Sequence, residues 1–148
     1  HMHGTPVNPK CQYRCHSGQM VSTLTKAVFP MLDCAEEDGC FAAIPGAHKS
    51  NFAKPWGNHP DENPGLRGVP AQAGDAIIFT EALTHGTLPW RAKNQRRAML
   101  YKYSPGMMSY ASQYAPDGVE ELLEEFTPEQ RAVLEPPYQP KRPSISIG

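Results

Sequence analysis

Residues 73–103 read AGDAIIFTEALTHGTLPWRAKNQRRAMLYKY, and the fold is decided in this stretch. Ala73-Gly74-Asp75 is a turn signal, and behind it Ala76–Thr80 is a short run of apolar, β-branched and aromatic residues, the pattern of a strand. A second run lies near Ala82–Leu88 and a third spans Arg96–Tyr103. In the third, a period of two puts Arg96, Ala98 and Leu100 on one face and Arg97, Met99, Tyr101 and Tyr103 on the other. Short strands closed by turn residues predict an all-β architecture. His85, followed by Gly86 and Thr87, taken alone reads as an ordinary surface histidine. Its surroundings single it out: no acidic residue occurs between Glu81 and Asp117, whereas Arg91, Lys93, Arg96, Arg97 and Lys102 do. Such an electropositive hairpin suits an anionic ligand, which the rigid guanidinium fork of an arginine grips at two points.

Upstream, Met20–Phe29 reads as one half-buried strand, with Val21, Thr23, Thr25 and Ala27 facing away from Ser22, Leu24, Lys26 and Val28. Cys34–Gly39 is a turn, Cys40–Ile44 a short apolar run, and Pro45-Gly46 stops it. From His48 to Gly74 no periodicity is sustained, which predicts a long functional loop, with Trp56 and His59 as candidates to touch a ligand. Downstream, Asp117 is expected to cap a helix carrying Val119, Leu122, Leu123 and Phe126 on one face, and Thr127-Pro128 starts another. The Pro-rich tail after Glu135 reads as extended. Residues 1–115 are thus expected to form the β domain and 116–148 short helices and a tail.

Composition narrows the function. The 148 residues fit one domain, and 16 Pro and 12 Gly favour many turns over a helical bundle. A net charge of −1 lacks the basic footprint of a nucleic-acid binder, and no apolar run has the length of a membrane span. No signal peptide is read at His1-Met2-His3-Gly4, so a cytoplasmic location is expected. Cys11, Cys15, Cys34 and Cys40 lack the C-x-x-C spacing of a zinc knuckle; they read as free thiols, with a disulfide or a zinc-stabilised binding module as the other readings.

Four motifs, in order, resemble the phytanoyl-CoA dioxygenase family. Asp38-Gly39-Cys40-Phe41-Ala42-Ala43-Ile44-Pro45-Gly46-Ala47-His48-Lys49-Ser50 is similar to that family's N-G-C-L-x-x-x-P-G-S-H-K. Ala73–Phe79, His85-Gly86-Thr87 and Arg96-Arg97-Ala98 resemble its A-G-D-x-x-x-F, H-G-S and R-R-A. The resemblance implies a double-stranded β-helix, a jelly roll of cupin-like type, here an incomplete barrel. It also implies an oxygenase that uses Fe(II), 2-oxoglutarate and dioxygen to oxidise a C–H bond of a small substrate, releasing succinate and CO2. Carried over residue by residue, His85 is a metal ligand, and Arg96 and Thr87 hold the far carboxylate of 2-oxoglutarate. His48 and Lys49 belong to a structural turn.

The family's H-x-D motif is matched only in part. His3 stands at the histidine, with Thr5 where the carboxylate is expected; His16 is a weaker alternative. Two further readings follow from Thr5: a non-catalytic barrel with a degenerate metal site, or a halogenase-like variant in which chloride replaces the carboxylate. The family is about twice as long as this chain, which therefore reads as its C-terminal half.

Overall fold

The computed structural model describes residues 8–50, 52, 54–57, 59–108 and 118–134. His3, Thr5, Asp117 and the tail after Glu135 lie outside them. The chain divides into two compact units, His1–Tyr103 and Ser104–Gly148.

The first unit is built from β-strands. Strands β1 (Tyr13–His16) and β2 (Gln19–Ser22) form a hairpin around Ser17-Gly18, both at positive φ. Strand β3 (Thr25–Pro30) lies at the centre of a three-stranded antiparallel sheet, between β6 (Ile77–Thr80) and β8 (Ala98–Tyr103). Strand β4 (Phe41–Ala43) is the centre of a second one, between β5 (Arg67–Val69) and β7 (His85–Thr87). The described residues are mostly sheet with a few short helices, and the two sheets form an open double-stranded β-helix without a closed barrel.

Register explains which side chains face inward. Val28 pairs with Ile77 on one side and Leu100 on the other, and Pro30 with Ala98, so Lys26, Val28, Ile77, Phe79, Ala98 and Leu100 share a face. In the second sheet Phe41 is opposite both Val69 and Thr87, and Ala43 is opposite His85. The two faces meet through Phe41 and Phe79, whose ring centroids are 4.8 Å apart. Leu24, Cys40 and Ala42 are almost fully buried and anchor the core.

Three expectations are corrected. The run from Met20 to Phe29 is two strands rather than one. Thr23 leaves the ladder because its backbone N–H donates to Gln12 O while its hydroxyl accepts from Gln12 N at 2.7 Å, which turns the chain and buries Leu24. The long connection 48–74 contains β5, a strand that exists because β4 offers it a ladder rather than because its own sequence alternates. The third run becomes strand only at Ala98, so Arg96 sits in the lead-in to β8.

In the second unit, α1 (Val119–Leu122) starts from Gly118 at φ 78°, with no side-chain cap. Helix α2 (Pro128–Leu134) starts from a reciprocal pair: Gln130 N–H donates to Thr127 Oγ1 and Thr127 N–H to Gln130 Oε1. Among the described residues no helix is long and apolar enough to cross a membrane.

Gly39 closes the turn before β4 at φ 98°, and a Cβ there would lie 2.2 Å from Pro89 O. Both backbone strain and steric overlap oppose any side chain. Gly39→Ala is expected to lower the unfolding free energy by about 2 kcal/mol or more, read as a shifted urea midpoint. An unchanged midpoint would show that the turn relaxes freely.

Candidate functional site

Between the two sheets lies a cavity of about 400 Å³ whose walls are mainly the apolar inner faces of β3, β6 and β8. Its polar groups are few: Lys26, His85, Thr87, Arg96 and Arg97. A mostly apolar cleft with a small number of converging polar groups is the usual form of a small-molecule site.

His85 opens β7 and is 5% exposed. Its ring packs against Phe79 at 4.6 Å and stacks with Phe41 at 5.9 Å between centroids. Nδ1 lies 2.7 Å from Leu83 O, which fixes Nδ1–H as the donor and places the imidazole lone pair on Nε2. Burial in this aromatic setting pushes its pKa below the ordinary value, and the bond to Leu83 O opposes the shift only in part. A neutral, oriented imidazole is what a metal ligand requires.

Arg96 reaches from the lead-in of β8 across to the other sheet. One guanidinium nitrogen donates to Gly39 O at 3.0 Å and another to Thr87 Oγ1 at 3.3 Å, and the group lies over the Trp90 ring, 5.5 Å from its centroid. Trp90 in turn donates from Nε1 to Asn94 O, closing the turn between β7 and β8. The structure thus brings His85, Thr87 and Arg96 to one cavity, with Thr87 two residues along β7 from His85. Arg97 also lines it, its Nε bonded to Gln95 Oε1.

Other singled-out residues go elsewhere. His48 packs edge-on against Tyr13 at 4.5 Å, as part of the turn after β4. His59 caps a short 3-10 turn by accepting from Asp61 N, and Trp56 does not line the cavity. It is Lys54, Pro60, Asn63 and Leu66 of that loop that close a second, smaller cavity of about 70 Å³ behind β7. None of the four cysteines is disulfide-bonded. Among the described residues no three His, Cys, Asp or Glu side chains are grouped to hold a metal. Lys26, Phe41 and Phe79 also line the cavity, and for the two aromatics the signal in the sequence is their place in the apolar runs.

Burial of neutral His85 has a pH consequence. The unfolded ring titrates near 6.5 and the folded one lower, so in that window the unfolded chain binds more protons. Stability is therefore complete above about pH 6.5 and falls as the pH drops through the folded pKa. His48, lowered by burial and by Lys49, adds to the same slope. Urea unfolding between about pH 7.5 and about pH 5.5 is expected to show this loss, and His85→Gln to reduce it. A wild-type stability that does not fall over that range would mean the folded ring accepts its proton.

The phytanoyl-CoA dioxygenase (PhyH) family profile matches residues 4–98. Among solved structures, apo HygX from Streptomyces hygroscopicus is 27% identical with a TM-score of 0.58, over 66% of this chain and 43% of that one. HygX with iron bound gives 26% and 0.56 over 66% and 43%. HygX with nickel, 2-oxoglutarate and hygromycin B bound gives 26% and 0.56 over 66% and 41%. A search of curated proteins returns no match. The chain spans about two fifths of the length of these HygX structures. Its sheets follow the cupin-like fold of these structures, and the profile covers more than half of its residues: the chain belongs to the phytanoyl-CoA dioxygenase family.

Proposed function

We propose that the chain forms the part of an iron(II)- and 2-oxoglutarate-dependent oxygenase that holds one histidine ligand and the carboxylate anchor of the cosubstrate. The observation that carries this reading is the convergence of His85, Thr87 and Arg96 on one cavity, with Arg96 already bonded to Thr87 Oγ1. Family membership and the HygX structures holding iron, or nickel with 2-oxoglutarate, support it.

His85 fits a metal because its Nδ1 is committed to Leu83 O and its Nε2 carries the lone pair. His3 is the second imidazole of this reading, with Thr5 at the carboxylate position. A bound iron supplies the activation of dioxygen, with 2-oxoglutarate oxidised to succinate and CO2 while a C–H bond of a small substrate is oxidised. The protein's own contribution is placement. Two of the five N–H donors of Arg96 are spent on Gly39 O and Thr87 Oγ1, which aims the guanidinium and keeps donors for a carboxylate. Thr87 accepts from Arg96 and so turns its own O–H outward as a further donor. Phe41 and Phe79 keep water from the far side of the imidazole.

Calorimetric titration of 2-oxoglutarate in the presence of manganese(II), a non-oxidising stand-in for iron, tests this. Arg96→Ala is expected to lose about 2–4 kcal/mol of binding, and Arg97→Ala much less. His85→Ala is expected to abolish the metal dependence while leaving the far-ultraviolet circular dichroism nearly unchanged. Equal losses at Arg96 and Arg97, or metal-independent binding in the wild type, would overturn the reading. Iron binding without succinate formation would favour a non-catalytic barrel.

A further inference from the structure

One buried carboxylate has no part in the function described above. Among the described residues Glu81 is the only acidic side chain that is buried, at 2% exposed. Its backbone N–H donates to Leu24 O at 2.9 Å, which continues the ladder between β3 and β6 one pair past Thr25 and Thr80. Alternation then puts Glu81 on the face of Ile77 and Phe79, the residues of β6 that line the cavity. Asp33, Asp38 and Asp75, by contrast, each accept from a backbone N–H in a turn.

The neighbours of this carboxylate indicate its use. Lys26 lines the cavity, and its Nζ lies 2.8 Å from Glu81 Oε2, so the carboxylate stands at the margin of that space. His85 follows Glu81 by four residues, across a turn in which Leu83 N–H donates to Thr80 O, and its ring packs against Phe79 at 4.6 Å. Burial sets the direction of the His85 pKa shift, and Lys26 and Glu81 then act on the ring with opposite signs; both charges are therefore near it. Burying an ion pair costs desolvation that an apolar pair of similar size avoids, so the acid on this face calls for a use.

The carboxylate of the H-x-D motif is replaced in this chain by Thr5, whose hydroxyl is a poor substitute for an anionic oxygen on a hard divalent cation. We propose that Glu81 supplies the carboxylate ligand that Thr5 does not, so that the metal is held by His85, Glu81 and His3. A monodentate ligand uses one oxygen, and the bond from Lys26 to Oε2 orients the group without excluding it. Only two of the three ligands are described residues, in keeping with the lack of a three-residue group among them. The inference rests on the reading that His85 binds a metal, and it moves the negative charge of the site from the start of the chain to the end of β6.

Cobalt(II), whose visible absorption reports its ligands, is the probe, titrated anaerobically and without 2-oxoglutarate. Glu81→Gln alone strands a buried ammonium, so the comparison is between Lys26→Met and the double variant Lys26→Met/Glu81→Gln. The first is expected to bind cobalt at least as tightly as the wild type, and the second about a hundredfold more weakly. Adding Thr5→Asp to the double variant is expected to recover most of the loss, because it returns a carboxylate to the metal from the other position. Equal cobalt affinity in the two Lys26→Met variants would make Glu81 only the counter-ion of Lys26 and overturn the proposal. Should either variant fail to fold, Thr5→Asp alone decides. It is expected to leave cobalt affinity nearly unchanged, whereas a tightening of about a hundredfold would show that the site lacked a carboxylate and overturn the proposal. A wild type that binds no cobalt, or binds it equally well with His85→Gln, removes the metal reading and the proposal with it; loss of the Glu81 effect alone leaves that reading standing.

Discussion

The arrangement depends on two sheets being held face to face by a small aromatic contact. Phe41 from one sheet and Phe79 from the other meet at 4.8 Å, and the ring of His85 completes the cluster. Each of these two sheets has three short strands with one apolar face, and burying those faces against each other supplies the driving force. A charged imidazole in that contact would forfeit part of the gain. The fold and the protonation state of the candidate ligand are therefore one problem with one solution.

Arg96 is the second tie between the layers, and it is polar where the first is apolar. It crosses from the lead-in of β8 to Gly39 and Thr87, which flank β4 and belong to β7. Gly39 consequently serves three purposes at one position. It turns the chain at positive φ, it lets Pro89 approach where a methyl group would collide, and its carbonyl fixes the guanidinium. An arginine anchored in this way loses little further side-chain freedom when it binds an anion, which favours affinity.

The parts legible in the sequence were those governed by local pattern. Strands β6 and β8, the turns at Cys34–Gly39 and Pro45-Gly46, and the face shared by Ala98 and Leu100 follow from period-two alternation and turn chemistry, whereas Arg96 and Arg97 precede the strand and both line the cavity, which alternation did not foretell. Strand β5 was not legible, because Arg67-Gly68-Val69 has neither length nor alternation and is strand only through pairing with β4. The division of Met20–Phe29 was hidden for a related reason, since it is imposed by Gln12 bonding to Thr23 from outside the run. In the site, His85 and Arg96 stood out by motif and charge. Lys26 did not: within its strand a lysine among Ser22, Leu24 and Val28 looks like an ordinary polar position, and the partner that keeps it inside, Glu81, is remote in sequence.

Strand β7 has a cavity on each side. His85, Gly86 and Thr87 line both the large space between the sheets and the small one closed by Lys54, Pro60, Asn63 and Leu66. The partition is one strand thick, and it carries the imidazole. A substitution in the loop that fills or empties the small chamber must push or release this partition, because close-packed interiors transmit displacement rather than absorb it. Loop residues that never meet a ligand thus adjust the aim of His85 and Thr87 from behind, so changes in the loop can retune the large chamber while its own lining stays constant.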